Sequence, residues 1–153
     1  MKQLAANLSE EHDTLLRFNS LLIDISTIFI SLPVDQIDSK IEEAQHRICT
    51  FLDLDRSTLW RFDEQEEATL WLTHTYQPAG SLPPPSPMNC IDYFPWLLRK
   101  LMDGETVVIS NMTELPAEAV RDRESFNLFN SKSGVFIPLS VGQGPLLGVL
   151  TFA

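Results

Sequence analysis

A proline-rich segment interrupts the regular elements of the chain. Five of the ten prolines in the 153 residues fall within residues 78–87. Proline lacks a backbone N–H and fixes φ, so neither a helix nor a central strand can run through this segment. A long connection of this kind inside a domain is usually a lid or a binding loop. The sequence therefore predicts an excursion over the surface, with regular elements on both sides of it.

Two amphipathic helices are predicted before this segment. Between Leu15 and Leu32 apolar residues recur at intervals of three and four, the spacing of a heptad seam, and Pro33 ends the pattern. A second helical pattern follows over residues 35–51, with Asp35 as its expected N-cap. A seam needs a partner, and we expect a second copy of the chain to supply it. The predicted dimer and signalling residues are Leu15, Phe18, Leu22, Ile25 and Phe29.

The rest of the chain alternates short β-rich stretches with short helices. β-branched and aromatic residues dominate the stretches, and turn-forming residues separate them. The predicted strands are residues 56–62, 70–76, 106–109, 134–141 and 146–152. Two further helices are predicted over residues 94–102 and 116–129. This order predicts an α+β domain with a central, mainly antiparallel sheet of five to six strands.

The charge of the chain argues against a nucleic-acid partner. Eleven basic residues against 21 acidic ones give a formal net charge of -10, which repels a phosphate backbone. No apolar stretch reaches the roughly 20 residues that a transmembrane helix needs. Cys49 and Cys90 lie far apart in the sequence, which fits a reducing compartment better than a disulfide framework. We therefore expect a cytoplasmic protein that binds neither nucleic acid nor membrane.

Five short motifs occur in an order that carries a family resemblance. They are DRSTLW at 55–60, DYFPW at 92–96, LP at 115–116 followed by RDRE at 121–124, KSGVFIPL at 132–139, and GVLTF at 148–152. Together they are similar to the GAF domain, the sensory module found ahead of bacterial histidine kinases and enhancer-dependent transcription activators. The resemblance covers about residues 15–153, and residues 1–14 extend the first helix. It implies two N-terminal helices on one face of the sheet and lid helices over a small-molecule pocket on the other.

The resemblance also implies a larger signalling protein. GAF domains continue from the last strand into a helix that pairs with the first helix and passes the signal onward, whereas this sequence ends at Ala153. We therefore expect one domain of a longer protein, with a kinase or regulator domain downstream. The domain itself is expected to have no catalytic activity. Its ligand would act by shifting the population between arrangements of the lid and the first helix.

Several residues are candidates for the ligand pocket. On a regularly alternating strand, His74 shares a face with Leu70, Leu72 and Tyr76, so it would line the pocket if that face is the inner one. Arginine binds carboxylate or phosphate through its planar fork, and the predicted helix over residues 116–129 carries two. The candidates are His74, Tyr76, Phe94, Trp96, Arg121, Arg123 and Ser133. The alternative for each is structural: a partly buried histidine, aromatic anchors of the core, or arginines paired with acids nearby.

Other chemistries have weaker support in the sequence. Glycine loops of nucleotide-binding type are missing, and so is the Asn-Lys-Phe-Asp-Glu motif of cyclic-nucleotide GAF domains. His12, His46 and His74 lack the spacing of a metal site, so the sequence requires no metal or cofactor. A redox enzyme on this fold would need clustered cysteines. The two hypotheses retained are a sensory domain with an unknown small-molecule ligand and an interaction module without a pocket.

Overall fold

The computed structural model describes residues 2–153, with side chains from Ala6 onward. Helices and strands alternate in an α+β order, as predicted. The elements are α1 (Lys2–Ile30), α2 (Ile37–Leu52), β1 (Ser57–Phe62), β2 (Thr69–Tyr76), β3 (Met88–Asn89), α3 (Cys90–Tyr93), α4 (Pro95–Met102), β4 (Val107–Ile109), α5 (Val120–Leu128), β5 (Gly134–Ser140) and β6 (Leu146–Phe152).

The strands form one six-stranded antiparallel sheet with the order β3-β2-β1-β6-β5-β4. Both predicted hairpins are present, and β1 pairs with β6 to join them at the centre. Gly148 permits this pairing, because a Cβ at that position would overlap the carbonyl oxygen of Trp60. The sheet and its helices confirm the predicted fold class.

Helix α2 covers one face of the sheet, and α1 packs on α2. The His46 ring of α2 stacks on Tyr76 of β2 with 4.8 Å between centroids, and Phe18 of α1 lies 5.5 Å from Phe51 of α2. Because of this packing, the members of the predicted seam differ in exposure. Phe18 and Ile25 are half-buried, whereas the other three members are 56%, 38% and 38% exposed. The exposed members are Leu15, Leu22 and Phe29.

The ends of two helices differ from the sequence prediction. Asp35 lies in a 3-10 turn over Val34–Gln36, and the N-cap of α2 is Gln36, so the predicted capping role of Asp35 is wrong. The turn forms because the N–H of Gln36 already bonds to the carbonyl of Pro33 (3.0 Å). Helix α5 begins at Val120 rather than at Pro116, since residues 116–119 form a separate turn.

The apolar core lies on the face of the sheet opposite α2, beneath α3, α4 and α5. Its buried residues include Trp60 of β1, Leu70 of β2, Leu97 of α4, Phe126 of α5 and Val149 of β6. We refer to α3, α4 and α5 as the lid helices. Within residues 2–153 no helix is both long and apolar enough to cross a membrane.

Candidate functional site

A cavity of about 100 Å³ lies in this core, between the sheet and the lid helices. We name it the apolar chamber. Its walls are mostly aliphatic and aromatic, and they include Trp60, Leu70, Met88, Cys90, Phe94, Leu97, Leu101, Phe126, Phe136 and Val149. An engineered apolar cavity of about 150 Å³ in another protein holds benzene. The chamber is about two-thirds of that volume, so it has room for a short branched chain, and a ring or a larger ligand would require the lid helices to move.

A short hydrogen-bond chain is the polar feature of the chamber wall. Trp60 Nε1 donates to Thr58 Oγ1 (2.6 Å), and the hydroxyls of Thr58 and Thr151 are 2.5 Å apart. One of the two threonines donates to the other, so one hydroxyl hydrogen remains for a ligand or water. Sequence reasoning missed these residues as site residues. Alternation along β1 puts Thr58 and Trp60 on one face, but alternation alone does not say which face is the inner one.

The lid helices are tied together by a buried carboxylate. Asp122 of α5 is fully buried and accepts hydrogen bonds from the backbone N–H groups of Trp96 (3.1 Å) and Leu97 (2.8 Å). These N–H groups belong to the first turn of α4, where backbone N–H groups have no partner within the helix. Helix α4 begins at Pro95, and the side chain of the preceding residue, Phe94, does not cap it. Asp122 therefore replaces the missing N-cap from a different helix. Burial raises the pKa of Asp122, and its two backbone hydrogen bonds oppose that shift.

An aromatic cluster holds the lid helices against the sheet. Its ring centroids are 4.8 to 6.5 Å apart, and the members are Tyr93, Phe94, Phe126, Phe129 and Phe136. Ser125 Oγ adds a hydrogen bond to the carbonyl of Tyr93 (2.6 Å). Phe94, a predicted pocket residue, is central to this cluster and also lines the chamber. Phe94 therefore packs in the core and lines the chamber as well.

The structure places His74 and Tyr76 away from the chamber. The register between β1 and β2 shifts at a β-bulge: Trp60 pairs with Leu72, but Leu59 pairs with His74. The extra residue reverses the alternation, so His74 and Tyr76 lie on the α2 face. His74 Nε2 is 3.1 Å from Asp38 Oδ1 of α2. The prediction that His74 shares a face with Leu72 is wrong for this reason.

Three further candidates also lie outside the chamber lining. Trp96 packs half-buried against the core from α4. Arg121 Nε donates to the carbonyl of Asp92, and its Nη1 bonds to Glu124 (3.1 Å). Arg123 Nη2 donates to the carbonyl of Leu115 (2.8 Å). Arg121 thus pairs with a nearby acid, which is the structural alternative, whereas Arg123 binds a backbone carbonyl instead of an acid. Both arginines position backbone around the lid helices.

A second cavity adjoins the chamber. This polar cleft has a volume of about 400 Å³ and includes the last predicted candidate, Ser133. The chamber and the cleft share four lining residues, which are Arg56, Phe129, Ser131 and Ala153. The remaining lining residues of the cleft are Asp55, Pro78, Ser81, Asn130, Lys132 and Ser133.

Nucleophilic or metal chemistry finds little support at the site. Cys90 lines the chamber, and burial raises the pKa of its thiol to about 12; burial raises that of Cys49 to about 11. A thiol in this state is a poor nucleophile at neutral pH. Among the described residues, no group of three or more His, Cys, Asp or Glu side chains could hold a metal ion. What the site can do is enclose an apolar group beside a polar opening.

Known proteins share this fold. The sequence profile described as "GAF domain" matches residues 37–153. Among solved structures, a fragment of a methyl-accepting chemotaxis protein is 18% identical, with a TM-score of 0.63 over 87% of this chain and 81% of the other. The phycocyanobilin-bound GAF domain of a cyanobacterial phytochrome is 19% identical, with a TM-score of 0.65 over 88% and 78%. The GAF domain of a phosphoenolpyruvate-protein phosphotransferase from Coxiella burnetii is 18% identical, with a TM-score of 0.61 over 87% and 74%. No curated protein sequence matches the chain.

Proposed function

The chain belongs to the GAF domain family, and from this we propose that it is a sensory or regulatory domain whose signal is a small molecule bound in the apolar chamber. The observation that carries the proposal is the chamber itself, an apolar cavity between a rigid sheet and three short lid helices. Small-molecule sites are typically concave and apolar, with a few polar groups that orient the ligand. The phytochrome relative described above carries a bound chromophore, so this fold accommodates ligands.

The signal would leave the chamber through the sheet. Trp60 of β1 forms part of the chamber floor, and the opposite face of β2 contacts α2 through His74 and Asp38. Helix α2 in turn contacts α1 through Phe51 and Phe18. A ligand that favours one arrangement of the lid helices would bias these contacts and hence the position of α1. The expected kinase or regulator domain of the full protein would respond to α1.

A cavity-filling variant tests the ligand proposal. Val149→Met adds volume to the chamber from β6, whereas Leu147→Met changes a half-exposed residue of the same strand that does not line it. The wild type and Leu147→Met should behave alike. Each should either carry a bound ligand, seen as extra mass in native mass spectrometry, or bind added benzene, seen as shifts of the Leu97 and Leu101 methyl signals in NMR spectra. Val149→Met should weaken benzene binding about tenfold. Absence of both the bound mass and the methyl shifts in the wild type would reject the chamber as a ligand site.

A different observation favours a second candidate function, an interaction module that dimerises whether or not a ligand is bound. Helix α1 exposes an apolar stripe at seven-residue intervals, formed by Leu8, Leu15, Leu22 and Phe29. Apolar residues at this spacing on one helix face typically pack against another helix. We propose a second copy of the chain as that partner. The two candidates are compatible, because dimer packing has discrete alternatives that a ligand can select.

A further inference from the structure

We propose that the ligand is a small apolar monocarboxylate, with its apolar group in the chamber and its carboxylate between Arg56 and Lys132 in the polar cleft. This rests on the proposed function and adds the chemical class of the ligand. The chamber and the cleft are adjacent, since Arg56, Phe129 and Ser131 line both. A molecule with one apolar end and one charged end would therefore fit across their boundary.

Two cations without partners line the cleft. Across residues 6–153, Arg56 and Lys132 form neither a side-chain hydrogen bond nor an ion pair. By contrast, several other cations of the described chain lie within 4.0 Å of a carboxylate: Lys40, Arg47, Lys100 and Arg121. Arg17, Arg61 and Arg99 also lie outside these ion pairs, so what distinguishes Arg56 and Lys132 is that both line the same cavity. A guanidinium and an ammonium together suit a carboxylate, through charge-assisted hydrogen bonds.

One acidic side chain, Asp55, also lines the cleft. Its charge raises the pKa of the Cys49 thiol, which belongs to α2 on the outer face of the sheet. Asp55 lies at a bend directly before Arg56, and both residues line the cleft. With Arg56 and Lys132 against Asp55, the side chains that line the cleft carry one net positive charge.

The two cations belong to different parts of the fold. The backbone of Arg56 is fixed by reciprocal hydrogen bonds with Ala153 (2.8 and 2.9 Å), which extend the pairing of β1 with β6. Lys132 follows α5, and the preceding Ser131 N–H bonds to the carbonyl of Phe126 (2.9 Å). A carboxylate held by both would connect the sheet to the end of a lid helix. Binding would then be coupled to the lid arrangement that the proposed function requires.

The chamber limits the ligand to one charge. Its walls carry apolar side chains and the Trp60–Thr58–Thr151 chain, whose hydrogen bonds are mostly satisfied internally. The one cation of its lining, Arg56, also lines the cleft and would already bind the first carboxylate. A second carboxylate placed there would be buried without a cation, which is strongly unfavourable. Branched-chain monocarboxylates therefore fit, aromatic ones fit when the lid helices move, and dicarboxylates do not.

Calorimetric titration with phenylacetate and with phenylacetamide tests the inference, because the two probes share an apolar group and differ in charge. The wild type should bind the acid about tenfold more tightly than the amide. Arg56→Gln and Lys132→Gln should each remove most of that preference and leave amide binding unchanged. Arg61→Gln is the matched control and should retain the preference, because Arg61 is an exposed arginine of β1, the strand that follows Arg56, and lines neither cavity.

The outcomes separate this inference from the proposed function. Equal affinity of the wild type for acid and amide would overturn the inference, and so would an equal loss in Arg61→Gln, which would indicate a general field rather than a site. Benzene binding without phenylacetate binding would also overturn it while leaving the chamber as a ligand site. Failure of benzene, acid and amide together would reject the proposed function as well. Circular dichroism of each variant establishes that the fold is retained.

Discussion

At the scale of single residues, the site is organised by polar groups that bind backbone rather than ligand. Asp122 lies between the two arginines that the sequence marks as ligand candidates, yet it is Asp122 that enters the core and caps α4. The arginines also bind carbonyl groups of neighbouring segments. A polar side chain near a chamber can thus be needed for the lid without touching the ligand.

Removing the carboxylate of Asp122 should loosen the lid. Asp122→Ala leaves the N–H groups of Trp96 and Leu97 without an acceptor in a buried environment, and we expect a loss of about 1–3 kcal/mol in the free energy of unfolding. Asp92→Ala, which changes an exposed acid of α3, should cost less than about 0.5 kcal/mol. Urea unfolding followed by circular dichroism measures both. Equal losses in the two variants would contradict the capping role.

The titration of Asp122 gives a pH dependence with a definite sign. Burial raises its folded-state pKa above the ordinary value of 3.8, so the native state holds the proton more tightly than the unfolded state. The stability from this group is therefore present below the unfolded pKa and is lost as the pH rises through the folded pKa. The difference in unfolding free energy between wild type and Asp122→Asn should fall as the pH rises from about 4 towards neutrality. A difference that grows over this range would show that the ionised form is the stabilising one.

At the scale of elements, local pattern identifies those that are long enough to show a period. Both hairpins, α2 and α4 follow from alternation, helical spacing and the positions of Pro33 and Pro95. Strand β3, at two residues, and α3, at four, are too short to show either period. The bulge in β2 is set by pairing with β1 and leaves no signal in the sequence LWLTHTY. The sequence-based prediction therefore assigns His74 to the wrong face of the sheet.

Gly148 is the position where β1 and β6 approach too closely for a side chain. Gly148→Ala would force the backbone of β6 away from Trp60, and we expect a loss of about 3 kcal/mol or more in the free energy of unfolding. Because Trp60 and Val149 both line the chamber, the same shift should weaken benzene binding. Ser140→Ala, at an exposed position on the neighbouring strand, should change neither quantity. Wild-type stability in Gly148→Ala would show that the two strands can separate without cost.

At the scale of the whole molecule, the sheet separates two layers. One face forms the chamber with the lid helices, and the other carries α2 and, beyond it, α1. The sequence motifs that resemble GAF domains predict this layering, but they do not identify the residues that meet in the chamber. Arg56 and Lys132, for instance, are 76 positions apart in the sequence. They share the cleft only because the start of β1 and the segment after α5 converge there.

The last prediction concerns the association of two copies of the chain through α1. The predicted seam contains two kinds of residue: Leu22 is 38% exposed on the stripe, whereas Ile25 is half-buried and borders Ala44 and Arg47 of α2. Leu22→Glu should therefore shift a dimer to monomer in sedimentation equilibrium without lowering the free energy of unfolding of the monomer. Ile25→Glu should lower that free energy as well, because it places a charge against α2.

Ser20→Glu provides the matched control for Leu22→Glu, since it adds the same charge to an exposed polar position of α1 outside the stripe. It should leave association unchanged. If Ser20→Glu dissociates the dimer as strongly as Leu22→Glu, added negative charge on an acidic chain is the cause and the stripe is not the interface. If the wild type is monomeric at all concentrations, the stripe does not pair with a second copy, and the ligand chamber remains as the only proposed means of signalling. Dissociation by Leu22→Glu alone would assign the interface to α1, on the far side of the sheet from the chamber.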